Sequence, residues 1–166
     1  MQRLICMIGL PRSGKSTTCK NIYIPKGFPI VSPDSIRMSL YHDRFIPSME
    51  NYVWAITYNM IESLFISGHN VVVLDSTNII EKLRNEIVKE FGLEYKIEWD
   101  IISTSKQECI QRALDNKDYY IIPVIDKMFK VCDVKEIIDS TNLDPRVIEY
   151  EQYLKVIPDS IETEVG

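Results

Sequence analysis

The stretch Gly9-Leu10-Pro11-Arg12-Ser13-Gly14-Lys15-Ser16-Thr17 has the spacing G-x-x-x-x-G-K-[ST]. The apolar run at residues 4–8 before it suits a buried parallel strand, and residues 17–24 after it suit a helix. A glycine-rich turn between a strand and a helix directs backbone N–H groups and a helix N-terminus at one anion. A chance glycine turn, the alternative, would not require this context. We therefore predict a phosphate-binding loop, called the P-loop below, at residues 9–17.

The P-loop residues are also the candidate nucleotide contacts. In this motif the lysine, Lys15, would reach the β- and γ-phosphates of a nucleotide, and the hydroxyl of Ser16 would bind Mg²⁺. The predicted nucleotide-binding set is the whole loop, namely Gly9, Leu10, Pro11, Arg12, Ser13, Gly14, Lys15, Ser16 and Thr17.

The composition indicates one globular domain over residues 1–166. Apolar residues make up 45% of the chain, and no window approaches the length of a membrane span. Residues 1–3 lead straight into the first strand and leave no room for a signal peptide. The net charge of −5 does not suit a protein that coats long nucleic acid, although a nucleic-acid end is still compatible as a substrate.

The four cysteines are widely spaced and form no C-x-x-C pair. This spacing argues against a zinc site and against a disulfide framework, so we expect a reducing, cytoplasmic location. Cys6 lies in the first apolar strand and is expected in the core rather than in chemistry.

Strands and helices are predicted to alternate, which is typical of an α/β protein with a parallel sheet and helices on both faces. We expect strands at 3–9, 28–31, 71–75 and 95–102, and helices at 15–24, 34–42, 49–66, 79–91, 105–114 and 123–131. Ser32 is expected to cap the second of these helices, with Pro33 in its first turn, and Ser105 and Glu108 have the spacing of a capping box at the fifth. A helix at 134–138, a strand at 149–157 and a mobile tail at about 159–166 complete the prediction. Three aromatic residues of the long helix could stack on bases, but helical packing is favoured: Tyr52, Trp54 and Tyr58.

Ligands of such sheets bind beyond the carboxyl ends of the strands. Asp34 follows the second predicted strand and lies three residues before Arg37, so both share one helix face. They could bind the hydroxyl and phosphate of an acceptor, or form a capping acid with a salt-bridged arginine. Asp75 ends the third apolar strand, where it could hold Mg²⁺ or cap the next helix.

A mobile lid is expected at about 112–122. Arg112 and Lys117 could swing over the phosphates of a nucleotide, as an arginine finger supplied by the same chain would. The alternative is that both are solvated surface charges.

Together these residues resemble the polynucleotide kinase family of P-loop kinases, as found in phage end-repair enzymes. The resemblance covers roughly residues 3–130. It rests on four matches in the family's order: the P-loop, Asp34-Ser35-Ile36-Arg37, Asp75-Ser76-Thr77-Asn78, and Arg112 followed by Ile122-Pro123-Val124-Ile125. The family's lid carries a second arginine, where this chain has Asp115-Asn116-Lys117, and Lys117 is the candidate substitute.

The resemblance implies a P-loop kinase fold and transfer of the γ-phosphate of ATP, with Mg²⁺, to the 5′-hydroxyl of DNA or RNA. It implies that Asp34 is the general base and that Arg37 holds the acceptor phosphate. The loop residues Asp75, Thr77 and Asn78 would shape the acceptor site.

Two other hypotheses stay open. A kinase of the same fold could act on a nucleoside or nucleotide, a hydroxymethylated base in DNA, or another small hydroxyl compound. A nucleotide-binding regulator could instead hold or hydrolyse ATP and act through a partner. The oligomeric state is not readable from the sequence.

Overall fold

The sheet of this computed structural model, which describes residues 1–42, 45–133, 137 and 141, has four parallel strands. The strands are β1 (Arg3–Ile8), β2 (Ile30–Val31), β3 (Val71–Leu74) and β4 (Lys96–Ile101), in the spatial order β2-β3-β1-β4. Because β1 pairs with β3 on one side and with β4 on the other, its carboxyl end lies in the middle of the sheet edge. The P-loop leaves the sheet at this central position.

Six α-helices connect or flank these strands in the described part of the chain. They are α1 (Lys15–Thr18), α2 (Pro33–Tyr41), α3 (Glu50–Ile66), α4 (Glu81–Phe91), α5 (Lys106–Asp115) and α6 (Ile122–Lys130). Short 3-10 turns at Pro47–Met49 and Tyr119–Ile121 precede α3 and α6. No helix in the described ranges is long and apolar enough to cross a membrane.

Both faces of the sheet are covered, which confirms the predicted architecture. Leu4 and Cys6 of β1 face the core that α2, α3 and α4 complete, whereas Ile5 and Met7 face the helical segment after the P-loop. This alternation follows from the two-residue period of a strand. The burial of Cys6 in this core confirms its predicted packing role.

Local sequence signals correctly predicted the starts of α2 and α5. The Ser32 hydroxyl accepts a hydrogen bond from the Ser35 N–H at the start of α2, and Pro33 occupies the first turn, as predicted. The Ser105 hydroxyl accepts from the Glu108 N–H at the start of α5. The Glu108 carboxylate pairs with Arg112, whereas the predicted capping box would place it on the Ser105 N–H.

Three features differ from the prediction. The helix after the P-loop is not a single α-helix over 15–24: α1 continues as a π-helix at Cys19–Tyr23 and a 3-10 turn at Ile24–Lys26. Helix α4 begins at Glu81 rather than at residue 79, because the backbone of Ile80 is extended and forms the cap before the helix. Trp54 packs on the core as expected, whereas Tyr52 is exposed. The predicted strand at 149–157 and the tail lie outside the described residues, as does most of the helix at 134–138.

Candidate active site

The P-loop is a tight turn between β1 and α1 that places two residues in the left-handed region. Gly14 has φ 107° and caps α1, and Arg12 has φ 64°. The Thr18 N–H donates to the Gly14 carbonyl at 2.9 Å, so helical bonding begins directly after the loop. The backbone N–H groups of the loop lie before this first helical hydrogen bond, and N–H groups at the start of a helix can bind a phosphate.

Gly9 is required where the loop passes closest to its neighbours. A Cβ atom at this position would lie 2.7 Å from Ser13 Oγ and 3.0 Å from the Ile102 carbonyl oxygen. The Gly9 N–H also donates to the Thr77 carbonyl at 3.0 Å. The first residue of the P-loop is therefore fastened to the segment after β3.

Lys15 is a buried cation at the base of the loop. Its Nζ donates to the carbonyls of Gly9 at 3.0 Å and Leu10 at 2.8 Å. Burial lowers the pKa of Lys15 from 10.5, and nearby negative charges, with Asp75 the strongest, oppose this effect. The ammonium group of Lys15 is therefore held at a position in the loop where it could bind a phosphate.

Ser16 and Asp75 meet across the β1–β3 pair, with Ser16 Oγ donating to Asp75 Oδ2 at 2.6 Å. Asp75 is nine-tenths buried, directly after β3. A hydroxyl and a carboxylate are oxygen ligands of the kind Mg²⁺ prefers. The described residues contain no group of three His, Cys, Asp or Glu that could hold a metal. The site therefore fits a Mg²⁺ ion that takes its other ligands from phosphate and water.

Three charged side chains, those of Asp34, Arg37 and Glu50, form a cluster at the start of α2 and α3. Arg37 donates from Nη1 to Asp34 Oδ1 at 2.6 Å, which confirms that both lie on one face of α2. Its Nε and Nη2 donate to the two carboxylate oxygens of Glu50 at 2.7 Å each. Burial acts to lower the pKa of Arg37, but the hydrogen bonds and charges of Glu50 and Asp34 leave it raised.

Exposure differs sharply within this cluster. The side chain of Asp34 is 84% exposed, whereas those of Arg37 and Glu50 are 12% and 19% exposed. Phe45 is also largely exposed, and its ring centroid lies 5.9 Å from Arg37 Cζ. An exposed carboxylate and an exposed aromatic ring therefore both lie beside a fixed guanidinium.

Hydrogen bonds from buried side chains hold the loop after β3 in place. Asn78 is fully buried, and its Nδ2 donates to the Met7 carbonyl at 2.8 Å. The buried Arg84 donates from Nη1 to the carbonyls of Asn78 and Ile79 at 3.0 and 2.5 Å. The amide of Asn78 thus satisfies a carbonyl near the end of β1 and braces the loop, and its predicted role in shaping an acceptor site stays a prediction. Thr77 is half-buried and binds the P-loop through its carbonyl.

The two predicted lid cations lie in different surroundings. Arg112 reaches the P-loop, where its Nη1 donates to the carbonyls of Arg12 at 3.2 Å and Ser13 at 3.0 Å, and its Nη2 pairs with Glu108. Lys117 lies exposed in the turn after α5, with φ 58°. Arg112 therefore joins the site directly, whereas the predicted role of Lys117 stays a prediction.

Sequence reasoning missed Glu50, Phe45 and Arg84. Each contacts a predicted residue across a gap that no local spacing reveals: Glu50 lies 13 residues from Arg37. A carboxylate in the first turn of α3 was the available signal for Glu50, but acids are common there for helix stability alone.

Residues 4–119 match the family model described as an AAA domain. The chain belongs to the AAA domain family. Its four-stranded parallel sheet with flanking helices is a P-loop kinase fold. No curated protein matches the sequence.

Solved structures share the fold at low identity. A chain of the Pnkp1/Rnl/Hen1 RNA repair complex has a TM-score of 0.66 at 18% identity, covering 86% of this AAA-family chain and 46% of that chain. Another Pnkp1/Rnl/Hen1 complex gives 0.60 at 22%, with 67% and 39% covered. A gluconokinase from Sinorhizobium meliloti 1021 gives 0.56 at 13%, with 78% and 74% covered. The chain spans less than half of the chains it matches in the two complexes, and these likenesses show the fold alone.

The buried charge of Lys15 predicts a pH-dependent stability difference. Because the pKa of Lys15 is lower in the folded protein than its ordinary 10.5, the unfolded chain binds its proton more tightly. The protonated lysine therefore costs stability near pH 7, and that cost disappears as the pH rises through the folded pKa toward 10.5. We expect Lys15→Met to be more stable than the wild type near pH 7, with the difference shrinking toward pH 10.5.

Urea unfolding of both proteins between pH 7 and 10.5 measures this difference. Lys20→Met is the control, because this substitution removes an equal charge from an exposed position on the same helical segment. A stability difference for Lys15→Met that stays constant over this pH range would contradict the prediction.

Proposed function

We propose that this protein is an ATP-dependent kinase that transfers the γ-phosphoryl group to the 5′-hydroxyl of a polynucleotide end. The observation that carries the proposal is the cluster of Asp34, Arg37 and Glu50 beside the P-loop. Asp34 is near enough for its charge to act on the pKa of Lys15. A base and a phosphate-binding cation next to a nucleotide site favour transfer to an acceptor over simple hydrolysis.

The donor half of the proposed site is the P-loop with Asp75. Backbone N–H groups and Lys15 would bind the β- and γ-phosphates of ATP. Ser16 and Asp75 would hold Mg²⁺, which supplies positive charge against the oxygens of the transferred group. Arg112 contacts the loop through the carbonyls of Arg12 and Ser13, so it is the lid cation best placed to reach these phosphates.

The acceptor half performs the proton transfer. The acceptor hydroxyl oxygen attacks the γ-phosphorus as the bond to the β–γ bridging oxygen breaks, and ADP leaves. The hydroxyl proton passes to the carboxylate of Asp34, whose exposure leaves it open to an incoming hydroxyl. Arg37, fixed by Glu50, would bind the next phosphate of the acceptor strand.

Three observations favour a polynucleotide end as the acceptor. Phe45 offers an exposed ring beside Arg37, and an aromatic ring next to a guanidinium can stack on a nucleobase while the cation holds a phosphate. The named RNA repair complex that shares the fold is consistent with this choice. The overall charge of −5 suits a short contact with a strand end rather than binding along a strand.

A second candidate is a kinase of a small hydroxyl compound. It is favoured by the two carboxylates on Arg37, which leave the cluster with a net negative charge and so less attraction for an anionic acceptor. The gluconokinase that shares the fold is consistent with this alternative.

An acceptor panel with γ-labelled ATP tests the proposal. The panel contains a 5′-hydroxyl oligodeoxynucleotide, the matching oligoribonucleotide, a free nucleoside, DNA with hydroxymethylated bases, and gluconate. We expect label on an oligonucleotide end. Label on a small compound alone would establish the second candidate, and ATP binding without transfer to any acceptor would indicate a regulator.

Asp34→Asn tests the base directly. We expect transfer to fall by roughly 10²- to 10⁴-fold, the usual contribution of a positioned general base, while the Kd for ATP stays within a few-fold. The matched control is Ser35→Ala on the exposed face of the same helical turn. Retention of full transfer activity in Asp34→Asn would remove Asp34 from this role.

Glu50→Gln tests the positioning of Arg37. Loss of one carboxylate charge should free the guanidinium and raise the KM for the acceptor by about three- to tenfold, since one charged contact is altered. The KM for ATP should not change, because Glu50 contacts α2 and not the P-loop in the described structure. Glu62→Gln, exposed on the same helix, is the charge-matched control. An equal rise in both KM values would argue for a general loss of structure instead.

A further inference from the structure

Arg12 adopts a backbone conformation that its side chain does not favour. Its φ of 64° lies in the left-handed region, where glycine is unstrained and residues with a Cβ are uncommon. A non-glycine residue is kept in such a conformation only where its surroundings hold it there, and such residues cluster at functional sites. The contacts of the Arg12 side chain show what holds the residue in this conformation.

The Arg12 side chain links the P-loop to the lid segment, defined here as residues 117–121. Its Nη2 pairs with the Asp118 carboxylate and donates to the Tyr120 hydroxyl at 3.3 Å. The two ionic side chains are 35% and 19% exposed, so the pair is partly desolvated. A contact between residues 106 positions apart fixes the lid segment against the loop.

The backbone carbonyls of Arg12 and Ser13 also accept hydrogen bonds from neighbouring side chains. The Arg12 carbonyl accepts from Arg112, and the Ser13 carbonyl accepts from Arg112 and from the Thr104 hydroxyl at 2.7 Å. These contacts bind the outward-facing carbonyls and so fix the direction of the loop N–H groups. The backbone of the loop is thus held by α5 independently of the Arg12–Asp118 pair.

We propose that the Arg12–Asp118 pair is a latch that the phosphates of a bound nucleotide open. A guanidinium binds phosphate with the same pair of donors that it offers to a carboxylate, and a triphosphate carries more charge than one carboxylate. Arg12 is part of the loop that would hold those phosphates, so the nucleotide competes with Asp118 for its guanidinium. Nucleotide binding then releases the lid segment from the P-loop. This inference rests on the nucleotide binding of the proposed function, but not on the identity of the acceptor.

The latch has a defined energetic consequence. If Asp118 holds Arg12 only in the nucleotide-free protein, breaking the pair is part of the cost of binding, and the observed affinity is lower than the intrinsic one. Removing the carboxylate should therefore tighten nucleotide binding. A pair that serves only to brace the lid would give the opposite result, because its loss would loosen the site.

Calorimetric titration with ATP measures this effect. We expect Asp118→Asn to lower the Kd for ATP by about two- to fivefold, the range of a partly exposed ion pair. Asp115→Asn is the matched control, since it removes the same charge from the exposed C-terminal end of α5.

In an Arg12→Gly background, which also relieves the left-handed conformation, the Asp118→Asn change should have no effect on the Kd for ATP. An Asp118→Asn protein that binds ATP more weakly, or no more tightly than Asp115→Asn, would overturn the proposal.

Hydrogen exchange of the lid segment gives an independent readout. Without nucleotide, residues 117–121 should exchange faster in Asp118→Asn than in the wild type, and with saturating ATP the two proteins should exchange alike. A difference that persists with ATP bound would show that Arg12 stays on Asp118. Both measurements need binding and not transfer, so an inactive protein that binds ATP still tests the latch, and absence of any ATP binding overturns it.

Discussion

The parallel pairing of β1 with β3 is the constraint on which the candidate site depends. It brings the end of the P-loop strand beside the end of the strand that carries Asp75, so that Ser16 and Asp75 meet at 2.6 Å although they are 59 residues apart. Two further contacts fasten this junction: the Gly9 N–H on the Thr77 carbonyl and the Asn78 amide on the Met7 carbonyl. Each satisfies a backbone group that a buried strand end would otherwise leave without a partner. The loop after β3 is therefore a brace for the P-loop as well as its neighbour.

The cations around the P-loop are all compensated in this conformation. Lys15 binds two carbonyls, Arg37 binds two carboxylates, and Arg12 and Arg112 each pair with an acid. Positive charges gathered in a partly buried site would repel one another and lose hydration, so compensation by nearby acids and carbonyls stabilises the fold. A ligand that binds these cations must then offer oxygen atoms of its own, in place of some of these partners or beside them. This requirement favours phosphate-rich ligands, because a neutral compound could not compete with a carboxylate for an arginine.

Local sequence signals predicted the parts of the site that lie within a few residues of one another. The P-loop spacing, the Ser32 cap and the shared face of Asp34 and Arg37 depend on turn and helix geometry alone, and the structure has all three. The partners that neutralise these groups were not predictable in this way. Glu50 and Asp118 reach their arginines through tertiary packing, and a surface acid gives the same sequence signal whether or not it has a partner. The π-helix after α1 likewise follows from packing that helix propensity does not encode.

The two halves of the candidate site differ in their access to solvent, and this difference bears on the acceptor. Lys15 and Asp75 are buried, as a site that must exclude water from a reactive phosphoryl group requires. Asp34 and Phe45, in contrast, are open. A small acceptor would leave Asp34 exposed to water, and water would then compete for the phosphoryl group. A strand end brings its own sugar, base and phosphate, and these can cover Asp34, stack on Phe45 and reach Arg37 together. In the proposed reaction the acceptor itself would complete the open half, which is the physical reason to propose a polymer end over a metabolite.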